Sequence, residues 1–252
     1  MKNVVLPFLV GAALAAAQPA LAPPAAGTLR DSSGSLHRVI GVAGNFIVDG
    51  DLGISNAVSA AFSESTGLVK TERELLVLDA AGQITGRYDA PVERALFAFG
   101  PDGAPALVYY AGTLMRFENN ELKPVNWTGD AVAIALASPQ SAVAIVRGDG
   151  QLRNVRINLT TGDIESETAL RDAGSPMLLV QSGGLLFTRD NNIVLRDSGG
   201  VECLVQAGFE VDSFEPMGRN WIAVREAGGG RLFALRIAPE SLELYQLPEV
   251  SQ

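Results

Sequence analysis

Residues 155–167 read VRINLTTGDIESE: an alternating apolar run, a polar turn ending in Thr161-Gly162, then a second run that starts on Ile164 and turns polar. Alternation with period two is the signature of a half-buried strand. A Ser/Thr or Asx residue followed by glycine is hairpin chemistry. The polar side chain bonds its own backbone, and glycine takes the positive φ that the turn requires. The same shape appears in GTLRDSSGSLHRVI (27–40), LLVLDAAGQITGRY (75–88) and IVLRDSGGVECLVQ (193–206).

Turn signals begin at 31 (DSSG), 79 (DAAG), 118 (ENNE), 159 (LTTG), 197 (DSGG) and 238 (APES), at intervals of 48, 39, 41, 38 and 41 residues. Between successive signals lie two further apolar runs, for example VAIALA (132–137) and AVAIVR (142–147) before LRNVRIN. A hairpin preceded by two more strands, repeated about every 40 residues, is the pattern of propeller blades. The inner runs are almost continuously apolar, as strands packed on both faces are. The last run of each unit carries more polar and charged residues, as an edge facing water does. No segment beyond the first residues sustains a 3.6-residue period.

The fold expected is therefore all-β: a β-propeller of four-stranded antiparallel blades in a single domain over 28–252. Full blades are expected near 57–91, 92–130, 131–172, 173–211 and 212–248. The hairpin in residues 28–42 is read as a third-and-fourth-strand pair without first and second strands of its own. NFIVDG (45–50) is available to complete it. Six blades with a degenerate first one is the preferred count, five the alternative. That hairpin must stand between the blades at 57–91 and 212–248, with Leu36 or Val39 and Ile40 buried.

The 252 residues are 47% hydrophobic and 19% charged, enough to bury a core. The formal net charge of −9 disfavours a phosphate backbone as partner. Residues 1–22 have the form of a secretory leader: a positive start in MKN, an apolar run over 4–17, then small residues with cleavage after Ala17 or Ala22. Pro23 would follow the second site directly, which favours the first. The apolar run is shorter than the ~20 residues a spanning helix needs. Cys203 is the only cysteine, so no internal disulfide can form. The expected location is periplasmic or extracellular, and the expected state monomeric.

FGPDGAPALVYYAGTLMRF (99–117) resembles the repeat of TolB-type, WD40-like periplasmic propellers: Pro101-Asp102-Gly103 after an apolar strand, a second strand, then a Gly-led third. LASPQSAVAIVRGDGQL is a weaker copy, with Gln140 where that family has Asp. INLTTGDIE is similar to the Thr-Gly hairpin of quinoprotein-type and surface-layer propellers. The docking tryptophan that follows such a glycine in quinoprotein dehydrogenases has no counterpart in Ile164–Glu167, so no quinone cofactor is expected. The resemblance spans most of 57–248 and implies a fold.

Catalytic constellations are sparse. His37 is the single histidine and lies on an expected strand, where it is read as an ordinary solvent-facing residue. Cys203 is read as a packed, inert thiol. One histidine and one cysteine cannot build a usual zinc site, and there is no Asp-x-Asp-x-Asp calcium run or sialidase box. No cofactor or metal is expected. Trp127 and Trp221 fall on strands rather than forming sugar platforms. EAGGGRL (226–232) leads into a strand, so it lacks the helix N-terminus of a phosphate loop. Carboxylates remain, because glycosidases need only a positioned acidic pair. Propeller ligands usually bind at the second-to-third-strand loops and the loops between blades. There the sequence places Glu72, Arg73, Asp89, Glu93, Arg94, Asp130, Asp149, Asp172, Asp190 and Asp212. Two functional readings follow: a non-catalytic module binding a protein or envelope component, and a carboxylate-dependent hydrolase or lyase. A calcium-dependent lactonase-like enzyme is disfavoured by the missing histidines.

The leader makes a direct prediction. The mass spectrum of the exported protein is expected to lack Met1–Ala17, and an intact Met1 would contradict the assignment.

Overall fold

The computed structural model describes residues 24–181, 183–218, 220–228, 230–238 and 241–249; the expected leader lies outside them. The described residues contain 23 strands and no helix. The N-terminal sheet comprises β1 (Ala25–Arg30), β2 (Leu36–Val42) and β3 (Asn45–Asp51). The second blade holds β4 (Ala57–Phe62), β5 (Thr66–Thr71), β6 (Glu74–Asp79) and β7 (Ile84–Asp89). The third holds β8 (Leu96–Phe99), β9 (Ala106–Tyr110), β10 (Thr113–Glu118) and β11 (Glu121–Thr128). In the fourth are β12 (Asp130–Ser138), β13 (Ser141–Gly148), β14 (Gln151–Asn158) and β15 (Ile164–Leu170). The fifth consists of β16 (Gly174–Leu179), β17 (Leu185–Arg189), β18 (Asn192–Arg196) and β19 (Glu202–Gln206). The sixth consists of β20 (Val211–Gly218), β21 (Trp221–Glu226), β22 (Leu232–Ala238) and β23 (Ser241–Gln246). Each sheet pairs antiparallel in chain order, so this is a six-bladed propeller with one three-stranded blade.

Six apolar clusters hold the blades together, one at each interface. Leu68, Leu75 and Val77 of the second blade meet Phe97, Phe99 and Val108 of the third. Equivalent clusters join the third to the fourth, the fourth to the fifth and the fifth to the sixth. The N-terminal blade closes the ring on both sides. Leu36 packs with Ile54 against Val69, Leu76 and Leu78 of the second blade. Leu29, Val39 and Phe46 pack against Met217, Ala223 and Ala234 of the sixth. Each such leucine, isoleucine, valine, methionine or phenylalanine side chain contributes roughly 1.5–3 kcal/mol when fully buried. Phe46 also meets the Trp221 ring edge-on at 5.2 Å.

The innermost strands β4, β8, β12, β16 and β20 touch one another in succession, and β20 touches β4 directly. Five strands thus surround the axis, and the N-terminal blade is a wedge set behind the β20–β4 junction. Its first strand runs antiparallel to β20: Gly27 lies against Met217 and Gly218, while Arg30 reaches Glu215. By direction and position β1 corresponds to a second strand, β2 to a third and β3 to a fourth.

That geometry corrects two expectations. The DSSG turn (31–34) is not a third-to-fourth-strand hairpin like the other five turns. It joins β1 to β2 at the opposite end of the barrel, where the Gly34 carbonyl accepts from Ala57 N at the start of β4. Asp-Ser-Ser-Gly supplies the same turn chemistry at either end, so the turn alone does not fix strand direction. The second correction is His37, expected on a solvent-facing position. It is buried at 8% exposure because β2 is a middle strand covered on both faces, and Asp31 supplies its ring Nε2 with a partner at 3.0 Å.

The β1–β20 seam rests on a close backbone approach. A Cβ on Gly27, which sits at φ +144°, would stand 1.9 Å from the Met217 carbonyl oxygen. Both the left-handed conformation and the contact exclude a side chain. Gly27→Ala is expected to cost about 2–4 kcal/mol in urea unfolding, whereas Gly44→Ala, with nothing within 4 Å, is expected to cost about 1 kcal/mol.

Candidate functional site

The ring has two ends. The inner strands begin at an entry face made by the second-to-third-strand turns and the loops between blades. They finish at an exit face made by the first-to-second and third-to-fourth turns.

All the charged loop residues singled out above lie at the entry face. Glu72 and Arg73 form the β5–β6 turn, and Asp149 and Asp190 form the equivalent turns of the fourth and fifth blades. Asp89 ends β7; Glu93, Arg94 and Asp172 sit between blades; Asp130 and Asp212 open β12 and β20. They do not form one cluster. Asp130 pairs with Arg147 at 3.5 Å and Asp149 with Arg153 at 3.1 Å, both within the fourth blade. Glu72, Arg94 and Asp212 come together in a cleft of about 680 Å³ between the N-terminal turn, the start of β4 and the 226–231 loop.

Arg30, Glu215 and Arg225, absent from the sequence-level list, also belong to this region. Glu215 Oε1 accepts from Arg30 Nη2 at 2.7 Å and from Arg94 Nη2 at 3.4 Å. Arg225 Nη2 donates to the Arg30 carbonyl at 2.6 Å and more distantly to that of Asp31. Burial lowers the pKa of Arg225, opposed by the charge of Glu215 and reinforced by that of Arg30. These residues sit within strands, where a sequence pattern reads an arginine only as an outward charge.

Next to this cleft, Asp31 organises the turn. Its Oδ1 accepts from Ser33 Oγ at 2.7 Å and from the amides of Ser33 and Ser35, and its Oδ2 faces His37. Burial would raise its pKa, but these hydrogen bonds outweigh it and hold the carboxyl below its ordinary value of 3.8. Ser33 bonds the carboxylate rather than the imidazole, so the three residues are not arranged as a nucleophile with its base.

The exit face carries a different chemistry. A cavity of about 530 Å³ opens where the five inner strands end. Phe62 of β4, Phe99 of β8, Leu136 of β12, Leu178 of β16 and Pro216 of β20 each contribute to its wall. Gln181, Asn220 and Asp102 stand among its lining residues, and Gln181 Nε2 donates to the Gly100 carbonyl at 3.3 Å. Pro101-Asp102-Gly103 thus lies at the mouth of the channel. An apolar strand such as ALFAF does not show whether its last phenylalanine faces a neighbouring blade or the axis, so sequence alone did not locate this recess.

Among the described residues no group of three or more His, Cys, Asp or Glu is arranged to hold a metal ion. Cys203 is half-buried against the fifth–sixth blade cluster.

No protein-family model matches the sequence, and no curated protein matches it. Solved structures do. TolB from Acinetobacter baumannii superposes with a TM-score of 0.58 at 15% identity, over 89% of this chain and 64% of that one. The nidogen/laminin complex gives 0.56 at 8% identity, over 87% and 92%. PorZ, a surface component of the type-IX secretion system of Porphyromonas gingivalis, gives 0.51 at 16% identity over 89% of this chain, which spans 31% of PorZ. The β-propeller domain of Cps50 (Swd1) from Myceliophteria thermophila gives 0.51 at 11% identity, over 77% of this chain and 72% of that one. The fold is that of TolB-type and WD40-like propellers, and at these identities the likeness is one of fold.

The depressed pKa of Asp31 has a pH consequence. Its contribution to stability is present above the unfolded carboxyl value and is lost as pH falls through the lower folded value. Asp31→Asn is expected to flatten the loss of unfolding free energy as pH falls below the ordinary carboxyl value of 3.8, read by denaturant titration across the acid limb. An unchanged acid limb would remove Asp31 from the balance.

Proposed function

We propose that this protein is a secreted, non-catalytic binding module. A protein or envelope component docks over its exit face and places an apolar group in the channel mouth. The observation that carries this reading is the convergence of five inner strands on one recess walled by Phe62, Phe99, Leu136, Leu178 and Pro216. An apolar hollow with a few amide and carboxylate groups among its lining residues is the ordinary form of a recognition site. Acting as a monomer in the periplasm or outside the cell, such a module needs no cofactor, and its acidic surface disfavours nucleic acid.

The rival reading, a hydrolase or lyase working through carboxylates, draws less support. A general acid needs a raised pKa. At the entry face, the carboxyls of Asp31 and Glu226 are displaced downward, by hydrogen bonds from Ser33 and Arg231 respectively. Glu215 is engaged by Arg30 and Arg94.

Site-specific photo-crosslinking in exporting cells tests the proposal. A crosslinker at Asn220, on the rim, is expected to give one defined adduct, and one at Asp149, in the exposed β13–β14 turn of the opposite, entry face, none. Leu178→Glu is expected to abolish the Asn220 adduct while the thermal melt stays cooperative. Identical patterns at both positions, or an adduct indifferent to Leu178→Glu, would remove the exit face from the function.

A further inference from the structure

The N-terminal wedge has three strands where the other blades have four, and its first strand lies behind the β20–β4 junction. It fills the space there unequally at the two ends. Towards the entry face, Leu36 and Ile54 close the gap to Ala57 of β4. Towards the exit face the wedge offers Gly41, Val42 and Ala43, and Val42 is left 57% exposed. The result is a trough of about 890 Å³ between the wedge and the second and sixth blades. Ala26, Gly27, Gly67, Ala80 and Gly82 make much of its wall. Small residues let another main chain approach closely. The trough also adjoins the channel mouth: Phe62, Ser63, Glu64, Gly218, Asn220 and Trp221 line both.

The lining narrows what can lie there. Among the described lining residues two cations, Arg38 and Arg236, stand against two acids, Glu64 and Asp79. Arg236 pairs with Glu243 at 3.3 Å. Arg38 donates to the Ala81 carbonyl, and Asp79 holds the amides of Ala81 and Gln83. The trough is thus balanced in charge although the chain carries a net −9, and it complements a segment without charge of its own. A sugar ring needs an open aromatic face, whereas Trp221 has Arg236 over its ring at 6.0 Å and Phe46 against it at 5.2 Å. An acyl chain would strip water from Thr28, Ser63, Thr66 and Asn220 without replacing it. A peptide main chain carries a donor and an acceptor at nearly every residue and can replace it.

We propose that the trough holds an extended, uncharged segment of the docking protein, running outward from the apolar group seated in the channel mouth to the rim between the wedge and the second blade. This rests on the exit-face reading and extends it: the partner is bound along a line that ends at Val42, not at the mouth alone. The three-stranded wedge is then a functional part of the binding surface, because its small exit-end residues are what leave the trough open.

The test places a photo-crosslinker at Val42 and, separately, at Asn220, in the full chain in exporting cells, and maps both adducts by mass spectrometry. Both are expected to fall on one protein, within about ten residues of each other, the reach of an extended chain across the exit face, with no charged residue between them. Ala80→Trp, at an exposed turn position on the trough wall, is expected to reduce the Val42 adduct at least tenfold, leave the Asn220 adduct in place and leave the thermal melt unchanged. Leu178→Glu is expected to remove both adducts. An Asn220 adduct without one at Val42, adducts on separate proteins or distant segments, a charged intervening stretch, a lipid or glycan adduct at Val42, or a Val42 adduct indifferent to Ala80→Trp would overturn the trough while leaving the channel mouth in the function. Loss of the Asn220 adduct from the unsubstituted chain would overturn both.

Discussion

The closing contact between the N-terminal wedge and the sixth blade is the interaction on which every other blade depends. A propeller blade is apolar on both faces, and neither face is stable against water. Five interfaces follow from chain order, because consecutive blades are tethered neighbours. The sixth must be made between segments nearly two hundred residues apart, and among the described residues no blade shares strands from both ends of the chain. The join is built from packing and a few polar clamps: Leu29, Val39 and Phe46 against Met217, Ala223 and Ala234, Arg30 on Glu215, and Arg225 on the Arg30 carbonyl. Gly27 and Gly218 let the two backbones come close enough for those contacts to form. The N-terminal wedge supplies the surfaces that cover two otherwise bare faces, Leu36 on one side and Val39 on the other.

Much of this architecture was legible in the sequence, because hairpin chemistry and strand alternation are local. The five full blades fall where the turn signals placed them, from Ala57 to Gln246. NFIVDG supplies β3, and Leu36 and Val39 are fully buried as the wedge requires, whereas Ile40, also expected inside, is only half-buried. What failed was handedness of placement. Asp31-Ser32-Ser33-Gly34 makes a good turn whichever end of the barrel it occupies, and only contact with Ala57 reveals which end that is. His37 was misplaced for a related reason: alternation reports two faces, not whether a neighbouring blade covers the second. The entry-face loops were legible from blade topology alone. The channel mouth was not, since Phe99 and a core phenylalanine have the same neighbours in sequence. Arg225 gave no signal, because its partners lie in a strand 195 residues away.

The two ends of the axis divide the chemistry. Inner strands enter the ring at charged or polar positions such as Asp130 and Asp212, and leave it at Phe62, Phe99 and Leu136. An axis charged at one end and apolar at the other cannot serve one ligand along its length. Lys70 fits the same division. It is fully buried near the entry end, its ammonium donates to the Thr71 carbonyl, and burial lowers its pKa. It lies one strand away from Ser59, which accepts the Ala95 amide from the next blade. Polar groups at the entry end therefore tie blades together as well as facing solvent.

That double duty links the cleft to the integrity of the ring. Arg30, Arg94 and Arg225 come from the wedge, the loop joining the second and third blades, and the sixth blade, so their cluster exists only while the ring is closed. The same Arg225 that faces the cleft holds the Arg30 carbonyl across the seam.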